Sequence, residues 1–435
     1  MPGRSPAKPA SRRAATRAAI LAAVLLLCWP AAAPAGQAAQ AAGDWTRWKY
    51  DAANTGVNPA ETRLGPGNVR GLRRSWFRSL CCGGGTPLVA GGVVYLGAEV
   101  DGPDGPAAVY ALDAATGQTR WMTLTGAAEG SGGLAMAGGR LFVVPVGGGH
   151  GSPMVALDAA TGRRLWTTEL TPGTSTDFYE PPNVAGGVVY VTSGDTKMRA
   201  LDAVTGRLLW RAYVTRTEGA TGTAVSGGLA YVVSGDGVLL AKDVANGVNR
   251  WKASLAAGGG RGRPVGTVSV GGGRVFVATE DGSVLAYRAA GCRPALVCRP
   301  LWVRQGGASS PFDSTPAVGR TTVFVGAPNR LHALDAATGR RRWSGVVEGF
   351  GEDFIVTTPV IANGVLYVTT VGNRVHAFPS AGCGASTCRP LWSGVINPEE
   401  NTSTATFPPS VSGGALYVTA WTADPTRFAV PSFPG

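Results

Sequence analysis

Histidine is scarce in this chain, with three residues in 435, and lysine is nearly as rare, with five. The scattered His150, His332 and His376 make no His-Glu metal motif, and no Cys-x-x-Cys-His haem site occurs. Nucleophile-elbow and phosphate-loop motifs are also missing. Beyond Trp29 no apolar stretch is long enough to cross a bilayer. Nor is there a clustered basic stripe with interleaved aromatics, which argues against nucleic-acid recognition. The 65 glycines disfavour a helical protein, because glycine destabilises helix interiors. They follow no Gly-X-Y period, which excludes collagen, and 44% hydrophobic residues excludes disorder.

What is present begins with an address. Arg4, Lys8, Arg12, Arg13 and Arg17 form a basic n-region, the run from Ala18 to Trp29 is apolar, and Ala33-Pro34-Ala35 is an A-x-A cleavage site. The sequence thus predicts a signal peptide over 1–35 and one exported domain over 36–435, extracellular or in the periplasm and cell envelope. Ser11-Arg12-Arg13 partly resembles a twin-arginine signal, and Cys28 departs with the leader. Removing those five basic residues lowers the formal net charge from +12 to +7, a modest value for a chain read as a soluble monomer.

Export makes the remaining six cysteines disulfide candidates. Cys292 with Cys298 and Cys383 with Cys388 bracket two short loops, each followed by Arg-Pro-Leu-Trp, and read as equivalent staples. Zinc is disfavoured by the lack of histidine at ligand spacing. The adjacent Cys81 and Cys82 remain, bonded to each other as a local clamp or bonded elsewhere.

A repeat decides the fold class. Tryptophans fall at positions 76, 121, 166, 210, 251, 302, 343 and 392, in steps of 41 to 51 residues. A period in the forties with short strands predicts an all-β propeller, with eight blades expected and seven as the fallback. The template Ala-x-Asp-x-x-Thr-Gly-x-x-x-Trp is complete ahead of Trp121, Trp166, Trp210 and Trp343, and Asn246 replaces its Thr ahead of Trp251. Ahead of Trp302 and Trp392 the cysteine loops take its place, which explains the two long steps. The Asp and Thr side chains suit a tight turn whose Gly supplies positive φ, and the Trp then packs on the adjacent blade. Upstream, Val89-Ala-Gly-Gly, Val184-Ala-Gly-Gly, Val225-Ser-Gly-Gly, Ile361-Ala-Asn-Gly and Val411-Ser-Gly-Gly read as two-residue hairpins between inner strands. The last unit, near Phe407 to Gly435, lacks an outer strand, and Asp44-Trp45-Thr46-Arg47-Trp48 is expected to supply it and close the ring.

The template resembles the tryptophan-docking repeat of the quinoprotein (PQQ-like) propeller superfamily over essentially the whole mature chain. Trp48-Lys-Tyr-Asp-Ala-Ala-Asn-Thr-Gly-Val-Asn-Pro59 is similar to the opening of such domains. The superfamily holds alcohol dehydrogenases that bind pyrroloquinoline quinone (PQQ) and Ca²⁺, and silent scaffolds such as the outer-membrane assembly lipoprotein. The resemblance implies, for an enzyme, a Cys81–Cys82 disulfide against the quinone. Acidic residues that propeller topology gathers on one face would then hold Ca²⁺, namely Glu180, Asp313 and Asp353, with Arg263 as quinone partner and Asp313 as base. That face also carries Asp101, Asp104, Asp195, Asp236, Asp281 and Asp424, and is expected to be acidic. Arg120, Arg163, Arg164, Arg207, Arg211, Arg250, Arg340, Arg341 and Arg342 flank the outer tryptophans and predict a basic girdle. His332 and His376 occupy a slot filled elsewhere by Tyr110, Arg199 and Leu240, and read as structural. The blade spacing leaves little room for the insertions that roof a dehydrogenase site. The reading favoured is therefore a non-catalytic binding scaffold for a protein or envelope polymer, with the PQQ- and calcium-dependent oxidoreductase as the alternative.

Overall fold

The computed structural model describes residues 43–434 apart from 81–83, 101–105, 126–130, 146–152, 171–180, 194, 216–218, 259–261, 306–313, 328–329, 348–357, 371, 398–404, 422–427 and 430–431. The only helices among the described residues are two 3-10 turns, Val69–Gly71 and Leu255–Gly258, and no helix is long and apolar enough to cross a membrane. The rest is a β-propeller. Seven complete blades follow in sequence order: residues 88–124, 131–169, 183–213, 224–254, 264–304, 317–346 and 360–395, here blades 1 to 7.

Blade 3 shows how the sequence makes each unit. Its strands Asn183–Ala185, Val188–Ser193, Lys197–Asp202 and Leu208–Tyr213 pair antiparallel in chain order. Gly186 and Gly187, at φ 57° and 76°, form the inner two-residue turn, a conformation that side chains disfavour at both positions. At the outer turn one carboxylate oxygen of Asp202 accepts the N–H groups of Val204 and Thr205 and the Thr205 hydroxyl, at 2.8–3.0 Å. The middle strands are buried, while the outer strand leaves Leu208, Leu209, Arg211 and Tyr213 exposed.

Tryptophan ties each blade to the next. Trp166 of blade 2 lies 5.9 Å from the Phe142 ring, and its indole N–H donates to the Ala203 carbonyl in the outer turn of blade 3 at 3.3 Å. A Cβ on Gly206 would fall 2.7 Å from the indole, so this glycine is required by close approach as well as by its φ of 72°. The same indole bond joins Trp76 to Ala114, Trp121 to Ala159, Trp210 to Val244, Trp251 to Ala289 and Trp302 to Ala336. Apolar clusters such as Phe142, Met154, Val184, Val189 and Leu201 fill the space between blades.

Two expectations need correction. Among the described residues seven blades are found, the fallback, and not the eight expected. The C-terminal repeat forms strands of only two or three residues, divided between Ser410–Ser412, Ala415–Tyr417 and Ser432–Pro434 in one sheet and Ala405–Thr406, Ala420–Trp421 and Phe428–Ala429 in another. Pro408 and Pro409, which have no N–H to give, interrupt its first strand. Nor does Asp44–Trp48 supply the outer strand there. Ser79–Leu80 does, pairing with Phe428–Ala429, while Trp76 just ahead of it packs 6.3 Å from Tyr417 and docks on blade 1.

Both staples are formed, Cys292–Cys298 and Cys383–Cys388, with Cα separations of 5.5 and 5.7 Å. Each loop lies on the outer edge of the preceding blade. Thr387–Cys388 adds a fifth, parallel strand beside Arg341–Val346 of blade 6. Lys252 of blade 4 donates its N–H to Leu296 and accepts that of Cys298, at 2.9 and 2.8 Å.

Candidate functional site

The inner strands of the blades are met by the chain itself. From Trp45 to Asn58 the N-terminal segment passes the inner strands of all seven blades and the C-terminal sheet in turn, always at the residue two places before the inner hairpin turn. Its carbonyls at Trp45, Thr46, Ala52, Ala53, Thr55 and Gly56 accept the N–H groups of Val89, Met136, Val225, Val270, Val318 and Ile361. Arg47 Nε reaches the Val184 carbonyl at 2.9 Å and Asn58 Nδ2 the Val411 carbonyl at 2.8 Å. Val57–Asn58 then runs parallel to the inner strand of blade 7.

The motif's polar residues bend the segment into this path. Asp51 accepts the N–H and hydroxyl of Thr55, and Tyr50, Asn54 and Gly56 take positive φ. Lys49 is fully buried beneath it, donating to Ser269 Oγ at 2.9 Å and the Pro316 carbonyl at 2.6 Å. Burial pushes this ammonium well below its usual range, against the pull of Asp51. Sequence reasoning missed this arrangement, although its signal was there. The stretch has polar residues without the alternation of an edge strand.

Above the segment, Arg47, Trp48, Asn183, Gly222, Thr223 and Thr267 line a small pocket with room for a water molecule rather than a ring system. Asn183 Nδ2 is taken by the Ala52 and Thr223 carbonyls, while Asn183 Oδ1 and Thr223 Oγ1 are buried without a partner among the described residues and suit an ordered water.

Of the anticipated site residues, Cys81, Cys82, Glu180, Asp313 and Asp353 lie outside the described residues. Arg263 is exposed at the entry to the first strand of blade 5 and does not line the pocket. The described acids of the expected acidic face serve their own turns. Asp195 is ion-paired with Arg199 and Lys197, which, against burial, hold it well below the usual carboxylate range. Asp281 accepts from Thr279 and Ser283, and Asp236 from Thr215. No group of three metal-ligating side chains occurs among the described residues. Of the residues called for a quinone and its calcium ion only Arg263 is described, and no catalytic step is derived through either. The nine girdle arginines are all exposed, as expected. His332 and His376 are lowered to about 4 by burial and nearby arginines, and each bonds a serine of its own blade's outer strand.

A propeller built from tryptophan-docked repeats, with its own N-terminal segment passing round the inner strands, defines a class of PQQ-like repeat proteins. More narrowly, the model of the family described as outer membrane protein assembly factor BamB matches residues 105–311 and 299–420, and the chain belongs to that family. A 1-butanol dehydrogenase (cytochrome c) of Thauera butanivorans is 28% identical over 169 residues. That match takes in 35% of this chain and 23% of the dehydrogenase, so the chain spans about a quarter of that relative's length. Among solved structures, a quinohemoprotein alcohol dehydrogenase from Pseudomonas putida HK5 superimposes with a TM-score of 0.67 at 15% identity, over 90% of this chain and 80% of that one. BamB from Moraxella catarrhalis gives 0.58 at 17% identity, over 84% and 98%. At these identities the structural likeness is one of fold.

Proposed function

We propose that this protein is an exported, non-catalytic scaffold of the cell envelope, monomeric in itself, that binds a protein or polymer through its outer surfaces. The observation that carries this reading is the N-terminal segment on the inner strands. Trp45 to Asn58 takes one inner-strand main-chain group of each blade, and Lys49 takes acceptors at blades 5 and 6, so the chain fills space and polar groups that a ligand would otherwise meet there. Membership of the BamB family and the two staples, which suit an oxidising compartment, support it.

The similarity to 1-butanol dehydrogenase favours a second reading, a PQQ- and calcium-dependent oxidoreductase. In it Cys81, Cys82 and Arg263 would hold the quinone, which supplies the two-electron acceptor, and Glu180, Asp313 and Asp353 the metal. Calorimetric titration of the mature chain with PQQ and Ca²⁺ separates the two. The scaffold reading expects no heat across the micromolar range from protein whose circular dichroism shows it folded. Saturable binding that disappears in Cys81→Ser/Cys82→Ser would replace it with the oxidoreductase.

A further inference from the structure

The outer edges of the blades fall into two kinds. On blades 4 and 6 the outer strand already carries an added parallel segment, Leu296–Cys298 and Thr387–Cys388 respectively, each pinned by a disulfide. These loops demonstrate that the edge accepts a further strand and in which direction. Among the described residues the outer strands of blades 1, 2, 3, 5 and 7 pair with nothing further.

Of the open edges, that of blade 3 carries the most exposed large side chain, Tyr213. In blades 1, 4 and 6 the residue before the tryptophan is an arginine whose charge is met by the turn aspartate, as Arg120–Asp113, Arg250–Asp243 and Arg342–Asp335, each at 2.6 Å. Blades 2, 3, 5 and 7 have a leucine in that place, and in blade 3 it is Leu209, 39% exposed. Leu209 sits in a bulge, and beyond it Arg211 and Tyr213 share one face of the strand, the latter 70% exposed. Arg211 sits opposite Arg199 in the ladder, and Asp195 is already taken by Arg199 and Lys197. Among the described residues no carboxylate lies within ion-pair distance of Arg211. The strand thus presents an apolar–cation–apolar row beside a line of unpaired backbone groups, with Arg207 adding charge at its start.

We propose that the outer strand of blade 3, Leu208–Tyr213, is a docking edge for an extended segment of a partner protein. That segment adds as a parallel fifth strand and sets an acidic side chain on Arg211 between apolar ones on Leu209 and Tyr213. Backbone pairing supplies affinity, and alternate side chains supply selectivity. Charge argues against a second copy of the chain as occupant, because two such edges would bring arginine to arginine. This inference rests on the scaffold reading and names its binding surface.

The test uses the mature protein and an eight-residue peptide in which threonine alternates with valine, glutamate and valine, followed by fluorescence anisotropy. The peptide should bind saturably and weaken as salt rises. Arg211→Glu should weaken it about tenfold, as for reversal of one charge pair across a strand edge, and restore binding to the peptide carrying lysine in place of glutamate. Arg341→Glu, on the covered edge of blade 6, should leave binding unchanged, and all variants should keep the wild-type tryptophan emission. Absence of peptide binding, or binding indifferent to Arg211→Glu, overturns the proposal. So does a dimer by sedimentation that Tyr213→Ala dissolves, which would make the occupant a second copy. The PQQ titration judges the scaffold reading separately, so a silent peptide with a silent titration removes the edge and leaves the scaffold.

Discussion

Blades 3 and 7 solve one problem with different chemistry. Both must offer the preceding blade's tryptophan a carbonyl or a flat glycine surface at the turn into the outer strand. Blade 3 does so with five residues, Asp202 to Gly206, whose carboxylate gathers the turn's N–H groups. Blade 7 does so with a longer loop closed by Cys383–Cys388, and its Gly382 lies against Trp343 as Gly206 lies against Trp166. The longer loop also reaches over the edge of blade 6, which the short turn of blade 3 does not do for blade 2. Docking is thus common to both devices, and edge protection belongs to the disulfide alone.

The largest effect should come from breaking what the two share. Gly206→Ala and Gly382→Ala each place a Cβ 2.7–2.8 Å from an indole atom at a glycine with positive φ. Each should destabilise the protein by about 3 kcal/mol, measured by urea unfolding. If the cysteine loop had taken over the docking role by some other contact, Gly382→Ala would be silent while Gly206→Ala was not.

A smaller effect should come from breaking what they do not share. Cys383→Ser/Cys388→Ser removes a short loop's cross-link, which the chain-entropy model values at about 2 kcal/mol. It should also free Ser344 and Gly345 from Thr387 and Cys388, and amide hydrogen exchange should speed up along Arg341–Val346 while the outer strand of blade 3 stays as it was. Equal protection in variant and parent would mean that backbone pairing holds the loop without the disulfide.

Much of this was legible in the sequence because it repeats. The Asp-x-x-Thr-Gly turns, the Gly-Gly hairpins and the Trp spacing each state a local requirement many times over, and local requirements are what sequence patterns encode. The cysteine pairs were legible for the same reason, each bracketing one turn of the repeat. The segment from Trp45 to Asn58 was not. Lys49, Asn54 and Asn58 are made meaningful by carbonyls of residues 169 to 353 positions away, such as Thr223, Pro316 and Val411. No periodicity announces such contacts. The closing strand was misplaced for a related reason: Asp44–Trp48 and the Trp76–Leu80 region are both aromatic and both N-terminal. Only the position of Trp76 in the docking series distinguishes them.

The smallest effect lies beneath the two kinds of edge. His332 of blade 6 and His376 of blade 7 occupy the same repeat position, with Nδ1 3.1 Å from Ser344 Oγ and 2.7 Å from Ser393 Oγ. Both are lowered from the ordinary 6.5 to about 4, chiefly by burial. Between those two values the unfolded chain binds protons that the folded one does not. Stability should therefore fall as pH drops from 6.5 toward 4, by at most about 1.4 kcal/mol per pH unit per histidine, and be insensitive to these groups above that window. Ser344 also donates its backbone N–H to Ser386 of the overlying loop, and no such cover is described over Ser393. Opening the Cys383–Cys388 loop should therefore raise the His332 pKa from about 4 toward 6.5 and leave His376 near 4, followed by NMR titration of the imidazole resonances. Movement of both together would place the burial in the strands themselves, and the disulfide loop would then protect the backbone of the edge without shielding what lies under it.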